Sequence, residues 1–232
     1  MKLLNNIIFI IFICCIPVLI ATSNVRIGVS DIGLYERGFD KYDISRDTGI
    51  DRSELTIIAQ HLIDYFNDKE ESAQMKVVKF GEEIDLFNEK ELIHLEDVRD
   101  LIQLDHLVQL VAMILAVICI VIFCVTSKDR LRRVIKGVFW GCVVTLAGVI
   151  VLVLWAMFGF DQLFILFHLV SFSNDLWLLD PATDNLIQLF PGGFFYDAAV
   201  YGFIAVIGES LILGALSFVV LRRKRIPETR IA

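Results

Sequence analysis

HLVQLVAMILAVICIVIFCVT, residues 106–126, decides the fold. The run contains no Asp, Glu, Lys or Arg. As a helix it reaches roughly 30 Å, the thickness of the hydrocarbon core of a bilayer. Directly after it, residues 127–137 carry Lys128, Arg130, Arg132, Arg133 and Lys136. Directly before it lies ELIHLEDVRDLIQLD, rich in carboxylates. An apolar run with basic groups at one end and acidic groups at the other reads as a membrane span with a sidedness.

Three further runs have the same character: residues 1–23, 138–160 and 199–221. The sequence therefore predicts a mainly α, polytopic membrane protein with four transmembrane helices and a small extracytoplasmic domain. The 56% share of hydrophobic residues agrees with this, because soluble domains lie nearer about 45–50%. Residues 1–23 also admit a reading as a cleaved signal peptide, but the run is long for such a segment and an uncleaved helix is preferred. Bulky Ile13 precedes Cys14 and Cys15, so the pair does not form a lipidation site.

Basic loops remain in the cytoplasm. Residues 127–137 and the tail 222–232, with Arg222, Arg223, Lys224 and Arg225, are then cytoplasmic. Residues 24–105 and the interfacial loop 161–198 are outside, and both termini are inside. The net charge of −7 resides mainly in the outer segments and argues against nucleic acid as a partner. The five cysteines all fall in spans, so no disulfide framework staples the outer domain.

Within residues 24–105, SDIGLYERGFDKYDISRDTGI is rich in Gly and Asp and reads as loops with short extended pieces. Asp51 and Glu54 resemble a capping box, and Leu55, Ile58, Ala59, Leu62, Ile63 and Phe66 then recur at helical spacing. MKVVKF suits a short strand. A second helix runs from Asn88 through ELIHLEDVRDLIQL into the second span, with His94 and Asp97 on a common side. In the second loop, residues 163–172 are apolar but too short to span, and read as interfacial, re-entrant or buried. Asp180 and Pro181 look like the start of a short helix.

The chain has four histidines. His61 lies on the polar face of a helix and reads as exposed; His106 reads as a boundary residue. His94 and His168 sit in outer segments beside the bilayer with polar company: Asp97 after the first, Asn174, Asp175 and Trp177 after the second. Imidazole titrates near neutrality and can take and return a proton. Acyl transfer needs that shuttle, together with donors for the developing oxyanion, for which Asn174, Trp177 or a backbone N–H are candidates. No G-x-S-x-G is present and the cysteines lie in spans, so a nucleophile would come from the substrate. Two other readings stay open. One is a zinc-dependent membrane hydrolase on His94, His168 and an aspartate. The other is a non-catalytic membrane protein that binds a lipid or protein partner through its outer domain. Glu209, inside the fourth span, is either functional or a hydrogen-bonded packing group, with Thr145 as a candidate partner.

ELIHLEDVRDL, residues 91–101, and FILFHLVSFSNDLWLLDPATDNLIQLFPGGFF, residues 164–195, together resemble the lipoprotein intramolecular transacylases, the Lit family of Gram-positive bacteria. The LYERGFDKY stretch and the four-span plan extend the resemblance over most of the chain, although Leu95 stands where the pattern has methionine. The resemblance implies an acyltransferase of the bacterial cytoplasmic membrane with its active site at the outer face. Its substrate is a diacylglyceryl-modified lipoprotein among membrane phospholipid. The sn-2 acyl chain moves to the α-amine of the N-terminal cysteine and leaves a lyso-form lipoprotein. The resemblance puts the two functional histidines at His94 and His168; their polar company, Asp97, Asn174, Asp175 and Trp177, is expected in support, no cofactor is expected because ester to amide is downhill, and no metal because no complete ligand set is visible. Acid–base chemistry on one substrate requires the two rings to face a common cavity, with ring nitrogens within about 10 Å.

Overall fold

The structure is a computed structural model that describes residues 2–223, except for the side chain of Lys2. Lys224, Arg225 and the rest of the expected basic tail lie outside the described residues. Four helices are long and apolar enough to cross a membrane: α1 (Lys2–Ser30), α5 (Glu89–Thr126), α6 (Arg130–Ser171) and α8 (Gly192–Arg223). Between them come α2 (Ile32–Lys41), α3 (Ile44–Thr48), α4 (Arg52–Phe66), strands β1 (Lys76–Lys79) and β2 (Glu82–Asp85), and α7 (Asn185–Leu189).

The chain forms two compact units. The first takes in the described residues of Met1–Asn24, Leu107–Leu154 and Phe203–Ala232. Only 11–22% of each apolar window in the four long helices is buried. Such helices present most of their greasy surface outward, which is stable in lipid and not in water. What packing exists is specific. Phe12, Cys15, Ala116, Cys119 and Phe123 form a buried cluster between α1 and α5. Gly137 and Gly141 let α6 approach α1, since a Cβ at either would lie 2.4 Å from Phe12 or Ile16. The Arg133 guanidinium lies 4.8 Å from the Phe123 ring centroid and donates to the Asn5 carbonyl. Glu209 accepts from Asn24 Nδ2 at 3.0 Å, whereas Thr145 bonds its own helix at the Gly141 carbonyl. An amide on α1, not the threonine, is therefore the partner of the intramembrane carboxylate.

The second unit comprises Val25–His106 and Trp155–Gly202. Its core is one aromatic and aliphatic cluster that includes Tyr35, Phe39, Leu55, Ile58, Leu62, Leu95, Leu189, Phe190 and Phe194. The α4 face is buried as its spacing predicts. Its start differs in detail. Asp51 is the N-cap but makes no side-chain cap bond, and Glu54 Oε1 instead accepts from Val78 N at 2.9 Å. The carboxylate ties the helix to the β1 edge. MKVVKF does supply a strand, β1, and β2 pairs with it antiparallel through the Phe80–Gly81 turn, where both residues have positive φ.

The Gly/Asp-rich stretch after residue 30 is helical, contrary to the expectation of loops and extended pieces. Asp31 caps α2 through Gly33 N, and Tyr35, Gly38 and Phe39 recur at helical spacing against Phe190 and Phe194. A Cβ at Gly38 would lie 2.4 Å from the Phe194 ring, so this glycine serves close approach rather than a turn. The apolar segment 163–171 is also helical: it is the last part of α6, redirected at Gly159 (φ −171, ψ 62). The expected helix start at Pro181 is a turn; Asp184 N and Thr183 N both donate to the Asp180 carbonyl, and α7 begins at Asn185.

Candidate active site

The site begins with how α5 starts. Asn88 N donates to Glu91 Oε2 at 2.7 Å, and Glu91 N donates to Asn88 Oδ1 at 3.0 Å. This reciprocal pair is a capping box. His94 follows Glu91 by three residues and is 6% exposed. The second histidine arrives on the part of α6 beyond Gly159. His168 is 7% exposed, and its ring centroid lies 6.2 Å from that of His94. The two rings therefore meet, although they are brought from helices 74 positions apart in the sequence.

Aromatic rings surround the pair. Phe164 lies 4.2 Å from His168, Trp177 4.8 Å at an interplanar angle of 34°, and Phe172 contacts both imidazoles. His168 Nδ1 lies 2.7 Å from the Phe164 carbonyl oxygen. A carbonyl can only accept, so Nδ1 carries the proton and the neutral ring keeps its lone pair on Nε2. Burial pushes the His94 pKa down to about 4, helped by the neighbouring His168 and opposed by Asp97. Burial also depresses His168, against the Phe164 hydrogen bond. Both groups, which lie outside the spans read from the sequence, are thus neutral at pH 7.

Asp97 Oδ2 accepts from Asn174 Nδ2 at 2.8 Å. Asn174 Oδ1 in turn accepts from Leu176 N at 3.0 Å, which shapes the turn leading into Trp177. Asp97 is thus bonded to the loop, and its effect on His94 is that of a nearby charge. Trp177 Nε1 and His94 Nδ1 are both shielded from solvent and without a hydrogen-bond partner. Buried polar atoms are seldom left so. The structure joins His94, His168, Asp97, Asn174 and Trp177, while Asp175 is exposed and its carbonyl receives Leu178 N. His61 Nε2 bonds the Ser72 carbonyl at 2.9 Å, and half-buried His106 adjoins Asp105 at the end of the second unit.

The long-range tie made by Glu91 is not legible in the sequence, where Glu91-Leu-Ile-His94 shows only a single Glu-x-x-His, one short of the di-iron pattern. Glu91 is fully buried, and its second oxygen, Oε1, accepts from Leu186 N at 2.6 Å. Asn88 and Lys90 also reach buried Asp184, at 3.0 and 3.4 Å. The capping role of Glu91 is visible in the spacing N-x-x-E, but its long-range partner is not. Among the described residues no group of three or more His, Cys, Asp or Glu side chains is disposed to hold a metal ion. His94, His168 and an aspartate do not form such a group.

The chain matches the family described as "Lipoprotein intramolecular transacylase Lit" over residues 9–195. It is similar to the in meso structure of the membrane integral Lit of Bacillus cereus, with a TM-score of 0.83 and 22% identity over 98% of this chain and 100% of that one. Two Bacillus cereus structures in which one histidine is replaced, by arginine or by alanine, each align with a TM-score of 0.78 and 21% identity. They cover 97% of this chain and 95% and 97% of their own lengths respectively. No curated protein matches the chain.

Proposed function

The chain belongs to the lipoprotein intramolecular transacylase family, and from that premise we propose that His94 and His168 carry the acyl transfer together, His168 as the proton shuttle and His94 as an N–H donor to the reacting carbonyl. The substrate is a lipoprotein whose N-terminal cysteine bears a diacylglyceryl group. Its α-amine attacks the sn-2 ester carbonyl, a tetrahedral oxyanion forms, and the bond to the glyceryl 2-oxygen breaks. The products are an amide and a free 2-hydroxyl.

The 6.2 Å approach of two buried, neutral imidazoles is the observation that carries this reading. Nε2 of His168 takes the proton that the amine loses. The imidazolium so formed strengthens its Nδ1–H bond to the Phe164 carbonyl. The same proton then passes to the departing 2-oxygen, so the enzyme ends as it began. His94 remains neutral, and in that form donates one N–H, as a neutral imidazole does when it polarises a carbonyl. The unpartnered indole N–H of Trp177 is the second donor to the oxyanion. Asp97 and Asn174 place the loop that bears it.

Little else is required of the protein. An α-ammonium with a pKa near about 7.7–8.0 is partly neutral already. Attack within one molecule gains from proximity, and ester to amide is downhill without nucleotide or redox cofactor. The basic segments at 127–137 and 222–232 support a placement of the histidines at the outer face, where the ester lies among phospholipid headgroups.

Purified variants test the assignment. His94→Ala and His168→Ala are each expected to lower kcat on a synthetic diacylglyceryl-cysteinyl peptide by about 10²–10⁴-fold while keeping a wild-type melting profile. Near-normal turnover in either variant would contradict it.

A further inference from the structure

Glu91 does more than cap a helix. A capping box engages one side-chain oxygen of its N3 residue, and glutamine serves as well as glutamate there. Glu91 commits both oxygens to backbone N–H groups: Oε2 to Asn88, and Oε1 to Leu186, 95 residues away. A buried carboxylate is costly unless it is fully hydrogen-bonded, and this one is fully buried. The segment it holds, residues 174–186, begins at Asn174, which is bonded to Asp97. Residues 91, 94 and 97 occupy an arc of about 120° on α5. The loop is therefore fastened to one helix by carboxylates three residues before and three residues after His94. Lys90, through Asp184 and the Leu178 carbonyl, reinforces the first fastening. Trp177, with its indole against His168, lies on the fastened strap.

We propose that Glu91 is a positioning residue for the acyl transfer: by holding the 174–186 strap to the turn of α5 that bears His94, it fixes the Trp177 indole N–H where the tetrahedral oxyanion forms. The inference rests on the donor role given to Trp177 above. It makes the spacing E-x-x-H-x-x-D one device, with the histidine between two clamps. It also assigns a function to a carboxylate that contacts neither imidazole by hydrogen bond.

A double-mutant cycle on the full-length enzyme tests it, with the diacylglyceryl-cysteinyl peptide as probe. Trp177→Phe alone should lower kcat about 10²–10³-fold, as loss of one oxyanion donor does. Glu91→Ala should lower kcat by a comparable factor with KM changed less than about threefold, because ground-state binding is untouched. Glu91→Gln, which keeps an oxygen for Leu186 N, should recover part of the loss. Where Glu91→Ala does not fold, Glu91→Gln takes its place in the cycle. In the Trp177→Phe background the Glu91 substitution should cost less than about threefold more, since its route of action is gone. Multiplying losses, or wild-type kcat in every folded Glu91 variant, would overturn the proposal. Full activity in Trp177→Phe would instead remove the oxyanion role of Trp177 and leave the histidine pair intact.

Discussion

Lowering the pH from 7.5 to 5.5 separates this site from one built on an ordinary histidine. kcat/KM reports the pKa values of free enzyme and free substrate. The substrate amine, with a pKa near about 7.8, loses its neutral form about 70-fold across this interval. A catalytic base at the usual histidine value of 6.5 would add a further factor of about 10 and bring the loss to about 700-fold. Burial depresses both imidazoles here, His94 to about 4. Both keep their neutral form below the usual value, so the expected loss falls short of about 700-fold and any second break in the slope lies below 6.5. Stability follows the same sign. His94 binds a proton less readily folded than unfolded, so the unfolded state gains protons first as the pH falls through 6.5 toward 4. Stability is lost across that window, by about 3 kcal/mol at pH 4 from this group. The assay is mass-spectrometric detection of the N-acylated peptide at fixed low substrate, with a melting curve at each pH. A slope of two with a break near 6.5 would refute the argument that burial sets the protonation state.

Asp97→Ala removes the bond to Asn174 and frees the other end of the strap; kcat should fall about 10–100-fold, the range for a lost hydrogen bond to a charged group, as steady-state kinetics will show. Gly38→Ala places a Cβ 2.4 Å from the Phe194 ring, so the melting temperature should fall by about 2–10 °C for an overpacking cost of about 1–3 kcal/mol, with circular dichroism as the check. Cysteines placed at Ser127 and Ser173 should label from the cytoplasmic and outer sides respectively in intact cells and inverted vesicles; the reverse pattern would invert the orientation drawn from the basic loops.

Much of the fold was legible because lipid imposes a simple rule: a run of about 20 apolar residues must be a helix. The helix of Leu55 and Ile58, and the passage of His94 into a long α5, were legible from local spacing for the same kind of reason. The misread stretch shows where locality ends. Gly33, Gly38 and the aspartates around them speak for turns, but Tyr35 and Phe39 bury against Phe190 and Phe194 and the helix forms around that contact. The span expected at residues 138–160 does not end there: α6 bends at Gly159 and resumes, and that resumption delivers His168. The histidines could be singled out from their company in the sequence. Glu91 could not, because its decisive partner is a backbone N–H in a distant loop, which no composition or spacing records.

The central claim is that this protein moves one acyl chain from oxygen to nitrogen by means of His94 and His168. A lipopeptide with an isotopically heavy chain at sn-2 and a light chain at sn-1 tests it most directly. Tandem mass spectrometry after incubation with the wild-type enzyme should find the heavy chain as an amide on the cysteine and the light chain still on glycerol. His94→Ala and His168→Ala should leave both chains on glycerol. A light chain on nitrogen, a released heavy fatty acid, or a full yield of amide from either histidine variant would contradict the account.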